Sequence, residues 1–151
     1  MSFNQDYEIG KQSELDSIED LRILFNAELI HHDHDVFAHF DFSSDNIFVE
    51  LKTRTDISLI DGKFIFKNNE LDSLIFDAVK MRCAYQYNKI NNTNKHFYIV
   101  WKIKGGRYFY WKINWNKNDY YLKNITNKFG HATERPRDII YVKTEYIKEL
   151  I

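Results

Sequence analysis

Three charged residues, Asp41, Glu50 and Lys52, lie close together in a stretch where charged and large apolar residues alternate. The dipeptide Asp45-Asn46 between them tolerates the positive φ angles of a tight turn, which predicts a β-hairpin. In a hairpin centred there, Asp41 stands opposite Glu50, and Lys52 projects from the same face because side chains alternate along a strand. Two opposed carboxylates repel each other by roughly 0.2–1 kcal/mol. A divalent cation bound between them would replace that repulsion with attraction.

The same register predicts an apolar face on the other side of the hairpin. The residues that share this face are Phe40, Phe42, Val49 and Leu51. We expect this face to pack against the core. Lys52 has a simpler interpretation too, as an exposed strand lysine in an ion pair with one of the acids, a contact that contributes roughly 0–1 kcal/mol.

A fourth acid, Glu14, stands at the start of a predicted helix. Ser13 can cap this helix, which we expect to run to about Ile30. Its apolar stripe comprises Leu15, Ile18, Leu21, Phe25 and Leu29. Glu14 falls on the same stripe, which indicates a carboxylate that points inward or toward a neighbouring site. The alternative is an acid of the first turn that the helix dipole favours.

The rest of the chain predicts a mixed α/β protein with a single domain over residues 1–151. We expect a second hairpin from Ser58 to Phe66 around Asp61-Gly62 and a second helix from about Glu70 to Lys89, capped by Asn69. The strands expected after it are His96–Lys104, Arg107–Trp115 beyond a Gly105-Gly106 turn, and Ile139–Lys143 beyond a Pro136-centred turn, with a short helical tail.

Charge is unevenly divided along the sequence. Residues 1–50 carry a balance of −10 and residues 51–151 a balance of +9, within a total of −1. This asymmetry suggests an acidic site beside a basic surface, unless the two halves intermix in space.

Cys83 is the one cysteine, so no disulfide forms within the chain. With no signal peptide or apolar membrane span in the sequence, we expect an intracellular protein that is not secreted and does not enter a membrane.

Asp41, followed by Glu50-Leu51-Lys52 and preceded by Glu14 on a helix, resembles the PD-(D/E)XK nuclease superfamily. The chain also looks similar to the small stand-alone nucleases of phages and large DNA viruses. One departure is Phe40, because the family pattern often has a proline there. The resemblance implies a restriction-endonuclease-like fold, in which helices flank a mixed central β-sheet.

The resemblance also implies roles for these residues. Asp41 and Glu50 would bind Mg²⁺ or Mn²⁺, hard cations that prefer oxygen ligands. The Leu51 carbonyl is available from the same strand, and Glu14 could complete the shell or hold a metal-bound water. Lys52 would orient or activate the attacking water and offset phosphate charge.

Basic residues elsewhere are candidates for contact with nucleic acid, and the site candidates among them are Lys80, Arg54, Arg135 and Arg137. The family's second helix often provides a lysine or glutamine, which suggests Lys80 and Gln86, although both have the simpler interpretation of ordinary surface residues. The stretch from Trp101 to Arg137 mixes basic and aromatic residues that could hold phosphates and stack on bases. A sheet with aromatics inside and lysines outside explains the same pattern.

The histidine-rich run 31–35 could bind a transition metal, but adjacent ligands in a loop rarely close a site, so a solvated loop is favoured. Taken together, the sequence predicts a metal-dependent nuclease that hydrolyses phosphodiester bonds, with DNA as the first expected substrate and RNA left open, and does not resolve a monomer from a homodimer. Two alternatives stay open. One is a catalytically inactive nucleic-acid-binding module on the same fold, and the other is a structural or partner-binding protein in which the hairpin acids are incidental.

Overall fold

The computed structural model describes residues 3–32, 40–126 and 136–151. Within these ranges, a six-stranded mixed sheet has the order β1-β2-β3-β8-β9-β12. Its strands are β1 (Ile30–His31), β2 (Phe42–Ser43), β3 (Ile47–Arg54), β8 (His96–Ile103), β9 (Tyr108–Lys112) and β12 (Lys148–Glu149). β3 and β8 run parallel, and the other neighbours in this sheet run antiparallel.

Two small antiparallel sheets of three strands each accompany it in the described part of the chain. One contains β4 (Ile57–Ile60), β5 (Lys63–Phe66) and β6 (Asn69–Glu70). The other places β11 (Pro136–Lys143) between β10 (Tyr120–Thr126) and β7 (Ser73–Asp77). The predicted mixed α/β class is therefore confirmed, as is the hairpin around Asp61-Gly62, where both residues have positive φ.

The helices lie on opposite faces of the central sheet. Helix α1 (Phe3–Phe25) packs against one apolar cluster, and helix α2 (Val79–Asn91) packs against the other. The α1 cluster comprises Leu21, Leu29, Phe42, Val49, Leu51, Val100 and Tyr108. The α2 cluster includes Phe40, Phe97, Ile99 and Trp101 from the central sheet region, and Met81 and Ala84 from the helix. Neither helix is long and apolar enough to cross a membrane, as far as the described residues extend.

The hairpin register is confirmed beside the turn, because Phe42 pairs with Val49 and the Ser44 N–H donates to the Ile47 carbonyl. The predicted strand pairing of Asp41 with Glu50 is not formed. The prediction of one apolar face is wrong. Phe40 joins the α2 cluster, whereas Phe42 joins the α1 cluster. β2 begins only at Phe42, and Asp41 lies in the bend before it, so strict alternation does not extend to Asp41 and Phe40. The α1 cluster covers one face of this part of the sheet, and the α2 cluster covers the other.

The first helix also differs from its prediction. Ser13 lies inside α1 and does not cap it, and the helix ends at Phe25 before Asn26, whose φ is 49°. Leu15 is exposed, whereas the small side chain of Ser17 is fully buried. The Lys102 ammonium, at 3.1 Å, donates to the Ser17 hydroxyl. Ser17, which is not part of the predicted apolar stripe, is thus a point where α1 packs closely against the sheet.

The second helix begins later than predicted. Residues 73–77 form β7 and pair with β11, so Leu74 and Phe76 point into the core while Ile75 is exposed. The end of α2 agrees with the prediction, since Asn92 adopts a left-handed conformation. Two later elements differ as well: Pro136 is the first residue of β11 instead of the centre of a turn, and a single 3-10 turn (Thr144–Tyr146) precedes β12 in place of a helical tail.

Candidate active site

Glu50 lies in the middle of β3, on the sheet face that α2 covers, and only 4% of it is exposed. Its Oε2 atom is 3.2 Å from the Lys52 ammonium and 3.3 Å from the Lys80 ammonium. The other oxygen, Oε1, is buried and accepts no hydrogen bond from any described residue. A buried carboxylate oxygen without a donor is costly, which marks this position as one that a ligand could stabilise.

Asp41 approaches the same strand from the bend before β2. Its Oδ2 atom accepts a 2.8 Å hydrogen bond from the Leu51 N–H. A backbone carbonyl would accept this bond if β2 continued as a regular strand. The bend before β2 therefore places a carboxylate beside Glu50, where the two negative charges interact.

Glu14 reaches this acid pair from α1. Its side chain hydrogen-bonds with that of Asp41, and its Oε2 atom lies 2.7 Å from His31 Nε2. The adjacent Ser13 hydroxyl contacts the Thr53 hydroxyl, which holds this turn of the helix against β3. Glu14 thus points toward the neighbouring site, as its place on the helical stripe predicts.

Both hairpin acids are harder to ionise than ordinary carboxyls. Burial raises the pKa of Asp41 to about 7, and the hydrogen bond and negative charge of Glu14 act in the same direction. Burial and the charge of Asp41 raise the pKa of Glu50 to about 7, although Lys52 and Lys80 partly oppose the increase. The positive charges nearby are therefore too few to stabilise two buried carboxylates, and an added cation would favour their ionised forms.

The lysines provide the positive side of the site. Burial lowers the pKa of Lys52, but the carboxylates of Glu50, Asp41 and Asp77 outweigh it and hold the pKa above its usual value. Asp77, at the end of β7, also accepts a 2.9 Å hydrogen bond from the Val79 N–H at the start of α2. Lys80 lies one residue further along, so the junction between β7 and α2 brings both Asp77 and Lys80 to the site.

The structure thus brings together Asp41, Glu50, Lys52, Glu14 and Lys80. Leu51 contributes its N–H to Asp41, and its side chain is buried on the α1 face. The structure shows no contact between this group and the other described candidates for nucleic-acid contact. Arg54 pairs with Asp56 at 3.0 Å, Arg137 is exposed on β11, and Arg135 lies outside the described residues. Gln86 is exposed on α2.

Among the described residues, the site also includes His31 and Asp77, which the sequence did not predict as part of it. His31 belongs to the histidine-rich run that was interpreted as a loop, yet it lies in β1 and contacts Glu14. The neighbouring His32 Nε2 atom contacts the Ser43 hydroxyl at 2.5 Å, and residues 33–35 lie outside the described ranges. A polar side chain directly before a helix is a signal that could have indicated Asp77, had the start of α2 been predicted correctly.

Across the described residues, no three His, Cys, Asp or Glu side chains are arranged so that they could hold a metal ion. Mg²⁺ does not need three, because it commonly binds one or two protein carboxylates and keeps several waters. Asp41 and Glu50, with the unbonded Glu50 Oε1, are therefore a donor set that suits Mg²⁺ or Mn²⁺ better than a transition metal with nitrogen or sulfur ligands.

The chain matches no protein-family model, no curated protein and no solved structure. A buried acid and a half-buried one beside two lysines are compatible with chemistry on an anionic substrate. The lysines would offset negative charge on such a substrate, and the acids could hold a cation that does the same. The pairing of Glu50 with two ammonium groups is the feature that distinguishes this site from an ordinary surface ion pair.

Proposed function

We propose that this protein is a metal-dependent nuclease of the PD-(D/E)XK, restriction-endonuclease-like type. It would hydrolyse phosphodiester bonds with Mg²⁺ or Mn²⁺, in DNA as the first substrate to test and in RNA as the alternative. The observation that carries this proposal is the half-buried Asp41 and the buried Glu50 together beside Lys52, with a carboxylate oxygen of Glu50 that has no donor in the described part of the chain. Central strands with a helix on either face are compatible with the fold that the resemblance implies.

Asp41 and Glu50 would hold the metal, with the Leu51 carbonyl and Glu14 as further oxygen ligands. When bound, Mg²⁺ supplies a positive charge that offsets the charge on the phosphate. Hydrolysis adds hydroxide to phosphorus and gives a proton to the departing oxygen. The protein must therefore orient a water and offset charge on the oxygens around phosphorus.

Lys52 is better suited to offsetting charge on the oxygens around phosphorus than to removing a proton from the water. Its raised pKa keeps the side chain protonated at neutral pH, so it acts as a hydrogen-bond donor and a positive charge. Lys80 adds a second ammonium on the same carboxylate and can contact a phosphate next to the scissile one. Glu14 positions Asp41 through their shared hydrogen bond, and His31 in turn positions Glu14.

Plasmid and linear DNA, incubated with the protein and Mg²⁺, Mn²⁺ or EDTA, test the proposal directly. We expect cleavage with either metal and none with EDTA. The Asp41→Asn variant should lose at least about 100-fold in rate, the scale for removal of one group that stabilises transition-state charge. Asp45→Asn is the matched control, because Asp45 is an exposed aspartate in the turn of the same hairpin. Equal cleavage by wild type and Asp41→Asn would reject the proposal.

A nucleic-acid-binding module without catalysis is the second candidate, and the two lysines on Glu50 favour it. They already offset part of the carboxylate charge without a metal. This candidate predicts salt-dependent DNA binding that is equal in Mg²⁺ and EDTA, with no cleavage product in either. A DNA-binding titration run beside the cleavage assay separates the two functions.

A further inference from the structure

A second candidate site lies at the other end of α2, away from the acid pair. A cleft of about 510 Å³ opens between the last turns of this helix, the loop that follows it and the segment after β9. We call it the Trp115 cleft and define it by Tyr85, Lys89, Lys95, His96 and Trp115, which line it. Its volume lies within the range of small-molecule sites in proteins.

Two exposed aromatic rings dominate the cleft. Tyr85 is 53% exposed and Trp115 is 54% exposed, and their ring centroids lie 5.9 Å apart at 88°. The other two tryptophans, Trp101 and Trp111, are almost completely buried. Side chains as large as Tyr85 and Trp115 contribute little to folding when half exposed, and such pairs often mark binding surfaces.

The cleft is positively charged. Lys89 and Lys95 both line it, and the Lys89 ammonium lies 5.6 Å from the Tyr85 ring centroid. The Lys95 ammonium lies 5.1 Å from the centroid of Phe48, a ring beside the cleft that is not part of its lining. His96 is exposed at the start of β8, and no Asp or Glu is found among the described residues that line the cleft. A ligand that complements it is therefore an anion with a flat ring.

The loop that carries Lys95 is held in place by Asn88. The Asn88 amide donates to the Lys95 carbonyl at 3.0 Å, and its oxygen accepts from the Lys95 N–H at 3.0 Å and from the Thr93 hydroxyl at 2.9 Å. Asn92, in a left-handed conformation, turns the chain from the helix into this loop. Because these bonds fix the loop before any ligand arrives, less ordering entropy is lost on binding.

We propose that the Trp115 cleft binds one unpaired nucleotide, with its base stacked on Trp115 or Tyr85 and its phosphate beside Lys89 or Lys95. A nucleotide combines the flat ring and the negative charge that the cleft complements. The base must be unpaired, since the ring faces of a duplex are already stacked on neighbouring bases. The inference goes beyond the proposed nuclease activity and does not depend on it, because binding at this cleft requires neither the metal nor the acid pair.

Binding of a fluorescein-labelled oligothymidylate, measured by fluorescence anisotropy in EDTA, tests this proposal without any cleavage. An abasic strand of the same length keeps the phosphates and removes the bases, and a blunt duplex keeps the bases but hides their faces. The informative variants are Trp115→Leu and Tyr85→Leu, which remove exposed rings. Tyr146→Leu, at an exposed tyrosine outside the cleft, is the matched control. Circular dichroism and a thermal melt verify that each variant is folded.

We expect Trp115→Leu and Tyr85→Leu each to weaken binding of the single strand by roughly 5- to 150-fold, the equivalent of about 1–3 kcal/mol per stacked base. Tyr146→Leu should bind as wild type does, and the abasic strand and the duplex should bind weakly. Lys89→Ala should reduce the slope of log K against log salt by about 0.7, the value for one phosphate contact on a single strand. Lys63→Ala, at an exposed surface lysine, should leave that slope unchanged.

Wild-type affinity in both ring variants would overturn the proposal, and so would equal binding of the abasic strand. Self-association that depends on Trp115, without binding of the oligonucleotide, would show that a second copy of the chain occupies the cleft and would overturn it too. Competition by thymidine monophosphate as strong as that by the oligonucleotide supports the site and assigns it to a free nucleotide. Loss of cleavage in Asp41→Asn affects none of these results, so the two proposals fail separately.

Discussion

Glu50 and Glu149 both form ion pairs with basic side chains, and their surroundings give the two pairs opposite properties. Glu149 accepts two hydrogen bonds from Arg107, at 2.7 and 2.8 Å, and this contact lowers the pKa of Glu149. Glu50 has two lysines within 3.3 Å, yet its pKa is raised to about 7. The difference arises because Glu50 is buried and lies beside a second acid, Asp41.

The comparison shows that a count of ion pairs does not distinguish a structural contact from a reactive one. At Glu149, water solvates the carboxylate and one guanidinium matches its shape, so the pair is already satisfied. At Glu50, water is largely excluded and one oxygen has no donor among the described residues. A cation would therefore stabilise the Glu149 pair little. At Glu50 it would both offset the negative charge and bind the oxygen that has no hydrogen bond.

The largest expected difference between the two pairs is in catalysis. Glu50→Gln should reduce DNA cleavage in Mg²⁺ by about 10³-fold or more, because an amide cannot neutralise the metal charge and about 4 kcal/mol of transition-state stabilisation is lost. Single-turnover rates on plasmid DNA measure this effect. Glu149→Gln provides the control. If both variants cut at the wild-type rate, burial at Glu50 has no role in the reaction.

The next effect is on stability as a function of pH, in EDTA. The raised pKa values mean that folded Asp41 and Glu50 hold protons that the unfolded chain releases between about pH 4 and 7. Their contribution to stability is therefore complete below about pH 4 and is lost as pH rises through about 7. We expect the free energy of unfolding to fall by about 1–4 kcal/mol over this range, as measured by urea denaturation at a series of pH values.

Two further measurements sharpen this prediction. Glu50→Gln should flatten the decline, whereas Glu149→Gln should leave it unchanged above pH 5, since the lowered pKa of Glu149 keeps its titration below that range. Mg²⁺ added at pH 8 should restore stability, because a ligand that binds only the folded state stabilises it. A stability that rises from pH 4 to 7 in EDTA would contradict the raised pKa values of Asp41 and Glu50.

A smaller effect is expected for Lys80, which helps to keep Glu50 ionised. In Lys80→Ala, one of the positive charges that lower the pKa of Glu50 is lost, so this pKa should rise further. Cleavage at pH 7 should then fall by about tenfold for each unit of increase in pKa, and it should recover as the pH is raised. The measurement is a pH–rate profile.

Lys63→Ala is the matched control for Lys80, because Lys63 pairs with Glu70 on the surface at 3.7 Å. Its profile should superimpose on that of the wild type. A loss of activity in Lys80→Ala that is the same at every pH would contradict the effect on Glu50 and leave the phosphate contact as the one role of Lys80 in cleavage.

The hairpin part of this site was predictable because its determinants are local. Asp45-Asn46 forms the turn, and the alternation around it fixes the register of Phe42 with Val49. Burial on both faces was not predictable in the same way, since it depends on α1, α2 and β8, which are distant in sequence. The bend at Asp41 also escaped the pattern, because alternation alone does not show where a strand ends.

Lys80 and Asp77 show why the rest of the site was harder to predict. The residues from Leu71 to Phe76 have apolar positions compatible with a helix, and β7 forms there because β11 pairs with it from far along the chain. Short apolar runs do not distinguish strand from helix without that partner. His31 was missed for a similar reason, since it reaches Glu14 through the pairing of β1 with β2.

The smallest expected effect belongs to the Arg107–Glu149 pair itself. Arg107→Ala should leave single-turnover cleavage within about a factor of two of the wild type, because an exposed pair contributes little beyond its own contact. Its effect on the thermal midpoint should be small and should shrink further in high salt, which screens exposed charges. A loss of cleavage comparable to that of Glu50→Gln would mean that the β9–β12 edge takes part in substrate binding. The contrast between a solvated pair and a buried one would then no longer separate structural contacts from reactive ones.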